Sequence, residues 1–166
     1  MSYSDIIVLR HMPIAKRNKT NWKAPERLSE LAEFRYQLRK FLSFSENVSE
    51  SRGIPAQQYQ LLQVVAAVPV GQESSISYIA ERMMVRHNSA VELVDRAEKS
   101  GLVRRVSDES DHRRSLLEIT ELGGEVLTEL VAKHLNEIEA NGTEIKRALE
   151  KLLDSRPGTN RKSREK

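Results

Sequence analysis

The chain has 166 residues, 39% of them apolar, which suits one domain with a modest core and flanking tails. It contains no cysteine, which excludes disulfides, thiolate metal sites and cysteine-based redox sensing. No apolar stretch approaches the ~20 residues of a membrane span, and residues 6–9 are too few for the apolar core of a signal peptide. We therefore expect a cytoplasmic protein with no membrane partner.

The formal net charge of +3 is unevenly distributed along the chain. Residues 1–27 carry six basic and two acidic side chains, and residues 155–166 carry five basic and one acidic. Residues 82–114 carry eight basic and six acidic side chains, whereas residues 115–154 carry four basic and nine acidic. Solvated surfaces explain this distribution as well as DNA binding does, so charge alone does not decide between them.

The two ends of the chain differ from its body in composition. Residues 1–24 mix Pro, Asn, Lys and Ser without periodicity and are predicted to be a flexible basic arm. Residues 155–166 are predicted to be a basic disordered tail. The remaining residues, 25–154, are expected to form one domain.

Two helices are predicted in the first part of this domain. A long one follows Pro25, because large apolar residues recur at helical spacing as far as Gly53, which is a natural terminator. These residues are Leu28, Leu31, Phe34, Leu38, Phe41 and Leu42. A second helix is expected to start at Pro55, where a missing N–H costs nothing, and to stop at Pro69 and Gly71.

A short helix, a turn and another helix are predicted next. Ser74 and Ser75 are good N-caps for a helix that includes Ile76, Ile79, Ala80 and Met83. After a turn of three or four residues, apolar side chains at i, i+3, i+4 and i+7 predict a helix that Gly101 ends. These side chains are Ala90, Leu93, Val94 and Ala97.

After Gly101 the apolar period changes from about 3.6 to 2, which predicts a hairpin at about residues 102–119. Its strands are residues 102–106 and 115–119, and the charged residues between them suit an exposed tip. Thr120 is expected to cap a long helix that Asn141 and Gly142 break, with a last helix beginning at Thr143. The fold class is therefore mainly α with a small β-hairpin wing, an α+β winged helix-turn-helix.

The residue choices in this motif suit recognition of double-stranded DNA. The second helix of the pair buries one side and presents its first turn to base edges in the major groove. Asn pairs with adenine, Arg with guanine, and Glu accepts from cytosine. The candidate base-reading residues are Arg86, His87, Asn88, Ser89, Glu92 and Arg96. At the hairpin tip, Arg113 and Arg114 are candidates for contacts with a minor groove or with phosphates. The N-terminus of the helix that starts near Ser75 is a candidate for binding a phosphate.

The segment from about Pro55 to Gly123 resembles the MarR (multiple antibiotic resistance regulator) family of transcription factors. The most specific matches are the wing signature Asp111-His112-Arg113 and the pattern Ile119-Thr120-x-x-Gly123 at the start of the following helix. The resemblance implies a homodimer formed by the N- and C-terminal helices, here about 25–52 and 120–154, on pseudo-palindromic DNA. It also implies that Arg113 reaches the minor groove and that Asp111 steadies the wing.

The resemblance further implies release from DNA when a small lipophilic or aromatic effector binds, and a repressor is the usual role in the family. A pocket between the first helix, the second helix and residues 120–139 is a plausible effector site. No cofactor is expected.

The main alternative function is a winged-helix adaptor that binds proteins without specific DNA binding. Such an adaptor would present an apolar or acidic surface where this chain has residues 86–89.

Other interpretations of single residues remain open or are weak. His87 could contact DNA or be merely exposed, and Glu92 and Asp95 could be solvated or could pair with Arg96 and Lys99. The four histidines are scattered, which argues against a zinc site. Neighbours on a hairpin tip rarely face one another, so Asp111, His112 and Ser115 are not expected to form a catalytic trio, and we expect no enzymatic activity.

Overall fold

The computed structural model describes residues 23–107 and 115–154. In these ranges the order is four helices, a two-stranded hairpin and a final long helix, with a tight turn between the third and fourth helices. The bounds are α1 Leu28–Ser51, α2 Ala56–Ala66, α3 Ile76–Arg82, α4 His87–Lys99, β1 Val103–Ser107, β2 Ser115–Ile119 and α5 Glu121–Asp154. The predicted mainly helical fold with a two-stranded wing is confirmed. Residues 1–22 of the predicted arm and the whole predicted tail, residues 155–166, lie outside the described residues.

The core lies where α2, α3, α4 and the hairpin meet the first half of α5. Its side chains are mostly aliphatic and form one continuous cluster. The largest fully buried members are Tyr59, Leu61, Leu62, Ile79, Leu102, Leu130, Val94, Val103 and Val126. This cluster fixes α4 from one side only, which leaves the other side of the helix accessible.

Local signals set the ends of α3 and α4 as the sequence predicted. The Ser75 hydroxyl accepts from the backbone N–H of Tyr78 at 3.3 Å, so Ser75 caps α3. Between the helices, Met84 turns the chain with φ of 54°, and the N–H of Val85 donates to the carbonyl of Ala80. Gly101 follows α4 with φ of 70°, a conformation that glycine adopts without strain.

The wing is an antiparallel hairpin anchored to the segment before α3. Its register pairs Val103 with Ile119 at the base and Ser107 with Ser115 at the last described pair. The Ser74 hydroxyl donates to the carbonyl of Leu117 at 2.6 Å, and the N–H of Leu117 donates to the carbonyl of Ser74 at 3.1 Å. These two bonds attach the wing to the start of α3.

Thr120 and Gly123 join the wing to α5. The Thr120 hydroxyl donates to the carbonyl of Gly101 at 2.5 Å and accepts from the N–H of Gly123 at 3.0 Å. The N–H of Thr120 donates to the carbonyl of Leu102 at 3.2 Å, and a Cβ on Gly123 would overlap that same carbonyl oxygen. This close approach explains why the Thr120-x-x-Gly123 pattern has a glycine at its last position.

Helices α1 and α5 pack in opposite directions. Arg52, just after α1, pairs with Glu129 near the start of α5, while Arg27, just before α1, donates to the carbonyl of Leu152 near the end of α5. Within the described residues, no helix is long and apolar enough to cross a membrane.

The predicted break at Asn141 and Gly142 is wrong, because α5 continues through both residues to Asp154. A glycine inside a helix costs only about 1 kcal/mol. The Asn141 amide donates to Glu137 one turn earlier at 2.9 Å, and Ala148 is buried in the second half of the helix. Packing of α5 along α1 therefore outweighs the local preference for a break, and Thr143 is not a cap.

Candidate nucleic-acid interface

Helix α4 has one buried side and one exposed side, as a helix that reads a DNA groove requires. Ala90, Leu93, Val94 and Ala97 are buried against the core. With 100° per residue, Glu92 lies opposite the buried side, at about 150° from its centre, and Ser89 and Arg96 flank it at about 90° and about 110°; all three are exposed. Neither Glu92 nor Arg96 forms an ion pair within the part of the chain that the structure describes, so pairing between these two is not observed.

The first turn of α4 and the residue before it are also exposed. Arg86 is the N-cap in an extended conformation and makes no side-chain capping hydrogen bond. The side chains of Arg86, His87, Asn88 and Ser89 are all exposed. The structure therefore brings these four predicted residues together on one surface with Glu92 and Arg96, while their contacts with bases stay predictions.

Ser75 lies at the start of α3 and is half-buried. Its hydroxyl accepts the N–H of Tyr78 as the N-cap, so the backbone N–H groups of Ile76 and Ser77 are the first-turn donors left for a phosphate. The predicted phosphate contact near Ser75 stays a prediction.

The tip of the wing, including the predicted residues Asp111, Arg113 and Arg114, lies outside the described residues. The strands on either side of it are described as far as Ser107 and Ser115. At its base, Arg104 and Glu118 face each other across the strands and pair at 2.7 Å.

Arg105 forms a cluster that the sequence analysis did not find. Its guanidinium pairs with Asp95 at 2.5 Å and also with Glu98, both on α4, and its N–H donates to Glu98 at 3.0 Å. Burial alone would lower the pKa of Arg105, but the hydrogen bonds that it donates to Asp95 and Glu98 raise it overall. Asp95 thus pairs with the wing and not with Arg96 or Lys99.

A polar group lies inside the contact between α1, α2 and α5. His134 is buried among the rings of Phe41, Phe44 and Tyr59. One of its ring nitrogens contacts the carbonyl of Leu130 at 2.6 Å, and the other lies 2.9 Å from the Ser45 hydroxyl. Burial raises the pKa of the Tyr59 hydroxyl, which lies 3.2 Å from the histidine ring. These side chains fill the contact at this level, and the predicted effector pocket between the three helices stays a prediction.

Within the described residues, no group of three or more His, Asp or Glu side chains is arranged to hold a metal ion. Asp111 and His112 of the trio weighed for catalysis lie outside the described residues, and Ser115 begins β2.

Helices α1 and α5 expose large apolar side chains. On α1 these include Leu28, Leu31, Leu38 and Leu42, which are 41%, 45%, 38% and 52% exposed. Their spacing of three, seven and four residues places them along one stripe of the helix. On α5 Leu135, Ile138, Leu149 and Leu153 form a similar exposed stripe, and Leu122 is exposed on another side of the helix. Exposed apolar stripes of this length mark interaction surfaces.

Comparison with known proteins identifies relatives of this fold. Residues 52–114 match the model of the MarR family. A protein of Thauera aromatica, named as a candidate transcriptional regulatory protein for the hcr operon, is 30% identical over 96 residues. That match covers 58% of this chain and 56% of the relative, so it spans little more than half of the relative's length.

Two solved structures are similar to the whole described architecture. AbsC, a MarR family transcriptional regulator from Streptomyces coelicolor, superimposes with a TM-score of 0.63 at 21% identity, covering 81% of this chain and 97% of AbsC. A MepR mutant from Staphylococcus aureus, bound to an oligodeoxyribonucleotide, has a TM-score of 0.56 at 21% identity, covering 74% of this chain and 94% of that one. The described fold is that of these winged helix-turn-helix regulators.

Proposed function

We propose that this chain, whose residues 52–114 match the model of the MarR family, is a transcriptional regulator of that family and binds specific sequences of double-stranded DNA in the cytoplasm as a homodimer. The observation that carries the proposal is α4, which buries Ala90, Leu93, Val94 and Ala97 and exposes polar side chains on its opposite side. An adaptor that binds proteins would present an apolar or acidic surface there.

The exposed residues divide into two groups by their chemistry. Asn88 and Arg96 on α4, with Arg86 before it, have the donors and acceptors that distinguish base pairs in the major groove. His87, Ser89 and Glu92 share the same surface. Contacts to phosphate and to the minor groove are assigned to Arg113, Arg114 and the first turn of α3 near Ser75, with Asp111 steadying the wing.

Selection from a duplex library tests this proposal. The full-length protein is incubated with a labelled palindromic library, and the selected duplex is then titrated at several salt concentrations. We expect a preferred sequence whose affinity falls steeply with salt, because phosphate neutralisation releases counterions. Absence of any selected sequence at low salt would refute specific DNA binding.

Dimerisation is supported by the exposed apolar stripes of α1 and α5. A second copy of the chain would bury both stripes, and two recognition helices related by a two-fold axis suit a pseudo-palindromic operator. We expect Leu42→Glu to shift the mass in multi-angle light scattering from dimer to monomer. Val70→Glu is the matched control, because Val70 is fully exposed on the α2–α3 loop, away from either stripe. A monomeric wild-type protein at micromolar concentration would contradict the dimer.

Repression relieved by a small effector is the regulatory part of the proposal. A groove of about 540 Å³ lies between α2, β2 and the start of α5, within the volume range of ligand sites. Its apolar walls include Val65, Leu117, Ile119 and Leu127, with Thr128 as a polar neighbour. A lipophilic or aromatic molecule there would press on both the wing and α5.

A ligand assay tests the effector. Small aromatic probes such as phenol and benzoate are screened for release of the selected duplex, first with the wild-type protein and then with Leu127→Trp, which fills the groove. We expect release from the wild-type protein and none from the variant, provided that the variant binds DNA normally. Equal release from both would refute this site.

A further inference from the structure

The charge on the proposed recognition helix is unusual for a surface that approaches phosphates. Helix α4 carries three acidic residues, Glu92, Asp95 and Glu98, and two basic ones, Arg96 and Lys99. The carboxylates recur every three residues, so each lies about 60° around the helix axis from the one before, and together they form an acidic strip along α4. Carboxylates near a DNA backbone repel it unless they are neutralised.

Arg105 neutralises two of these three carboxylates. One terminal nitrogen pairs with Asp95 at 2.5 Å and the other with Glu98, while the backbone N–H of Arg105 donates to Glu98 at 3.0 Å. The Arg105 side chain is 29% exposed, against 46% and 37% for those of Asp95 and Glu98. The arginine is therefore the most enclosed member of the cluster and holds both carboxylates from the side of the wing.

Two of the five N–H donors of the Arg105 guanidinium are already used within the protein. Both terminal nitrogens are engaged by α4, which argues against Arg105 as a phosphate contact of its own. Arg104 is its counterpart on the same strand: adjacent side chains of a strand point to opposite sides, and Arg104 pairs with Glu118 of β2 and is 66% exposed. The two arginines carry equal charge and differ in what they neutralise.

We propose that Arg105 is a positioning residue for DNA binding: it neutralises Asp95 and Glu98 and holds β1 against α4, so that α4 approaches the phosphates with less repulsion. This inference rests on the proposed DNA-binding function. Without Arg105, α4 would present three unpaired carboxylates against Arg96 and Lys99, and the wing would lose its link to the helix.

Charge rescue tests the inference. Binding of the selected duplex is measured for the wild-type protein, Arg105→Gln, the pair Asp95→Asn with Glu98→Gln, and all three changes together. We expect Arg105→Gln to weaken binding about tenfold or more at ~0.1 M salt, with a smaller loss at higher salt because the repulsion is screened. The triple variant should recover to within about threefold of wild type, and the pair should bind at least as tightly as wild type.

Arg104→Gln is the matched control, since it removes the same charge from the other side of the strand. We expect it to cost no more than about threefold in affinity. A triple variant as weak as Arg105→Gln, an unaffected Arg105→Gln, or equal losses from Arg104→Gln and Arg105→Gln would each overturn the inference. Circular dichroism melting of each variant confirms that it is folded under the assay conditions.

Failure of the proposed function gives a different result. If the wild-type protein selects no DNA sequence at low salt, both the DNA-binding function and this inference are refuted. If the wild-type protein binds and Arg105→Gln binds equally well, only the role of Arg105 is refuted.

Discussion

Replacing Gly123 with alanine should disrupt the joint between the wing and α5. A Cβ at this position would overlap the carbonyl oxygen of Leu102 and would lie 3.0 Å from its carbonyl carbon and 3.1 Å from Cγ2 of Ile119. The overlapped atoms are backbone atoms of Leu102, at the base of the hairpin, so no side-chain rotation relieves the overlap. Its carbonyl would have to move, and that carbonyl accepts the N–H of Thr120 at 3.2 Å.

The size of the effect follows from three contributions. Overpacking in a rigid environment costs about 1–3 kcal/mol, and a weakened backbone hydrogen bond costs about 1 kcal/mol. Alanine is a better helix former than glycine by about 1 kcal/mol, which offsets part of this cost. We therefore expect Gly123→Ala to lower the free energy of unfolding by about 1–3 kcal/mol.

Gly124→Ala is the matched control, because the nearest atom to its added Cβ is 4.0 Å away. It should leave stability unchanged or raise it by up to about 1 kcal/mol. The assay is urea unfolding followed by circular dichroism at one fixed protein concentration, since dimerisation would make stability depend on concentration. If the two variants were equally stable, the close approach at Gly123 would not be what fixes the joint.

Three further predictions concern the cap, an ion pair and the base-reading residues. Ser75→Ala removes the cap of α3 and should lower the free energy of unfolding by about 1 kcal/mol, measured by urea unfolding; an unchanged value would mean that the cap contributes nothing. Hydrogen bonds from Lys133 and then Arg52 hold the pKa of Glu129 below its ordinary value of 4.5, so its stabilising effect is present above the unfolded pKa and is lost as the pH falls through the folded pKa. Glu129→Gln should therefore lower the melting temperature at pH 7 and match the wild type in acid below the folded pKa, and a pH-independent difference would contradict this. Arg113→Ala should weaken binding to all duplexes, whereas Asn88→Ala should change which sequence is selected; if both variants behave alike in the library selection, the assigned roles are wrong.

The elements that sequence analysis placed correctly are those with local signals. Ser75 caps its own helix, Gly101 ends α4 with a positive φ, and Thr120 caps α5 through hydrogen bonds to nearby residues. Each of these preferences acts within a few residues of its own position, so a pattern along the chain is sufficient to find it. The helix-turn-helix and the hairpin followed from such signals.

The features that were missed depend on partners elsewhere in the fold. Asp95 pairs with Arg105 across two elements, and His134 lies 2.9 Å from Ser45, which is 89 residues earlier in the chain. The helix break predicted at Gly142 failed because packing along α1 outweighed a local penalty of about 1 kcal/mol. Local patterns do not show which distant side chains meet, and those meetings decide the charge around α4.

The geometry of the bound DNA tests the central claim most directly. Hydroxyl-radical footprinting of the wild-type protein on the selected duplex reports where each recognition helix lies. We predict two symmetric protected regions whose centres are about 34–36 Å apart, one helical turn, because two copies of α4 enter successive major grooves. A single protected region without two-fold symmetry, or uniform protection that is independent of sequence, would contradict a dimeric regulator that reads DNA with α4.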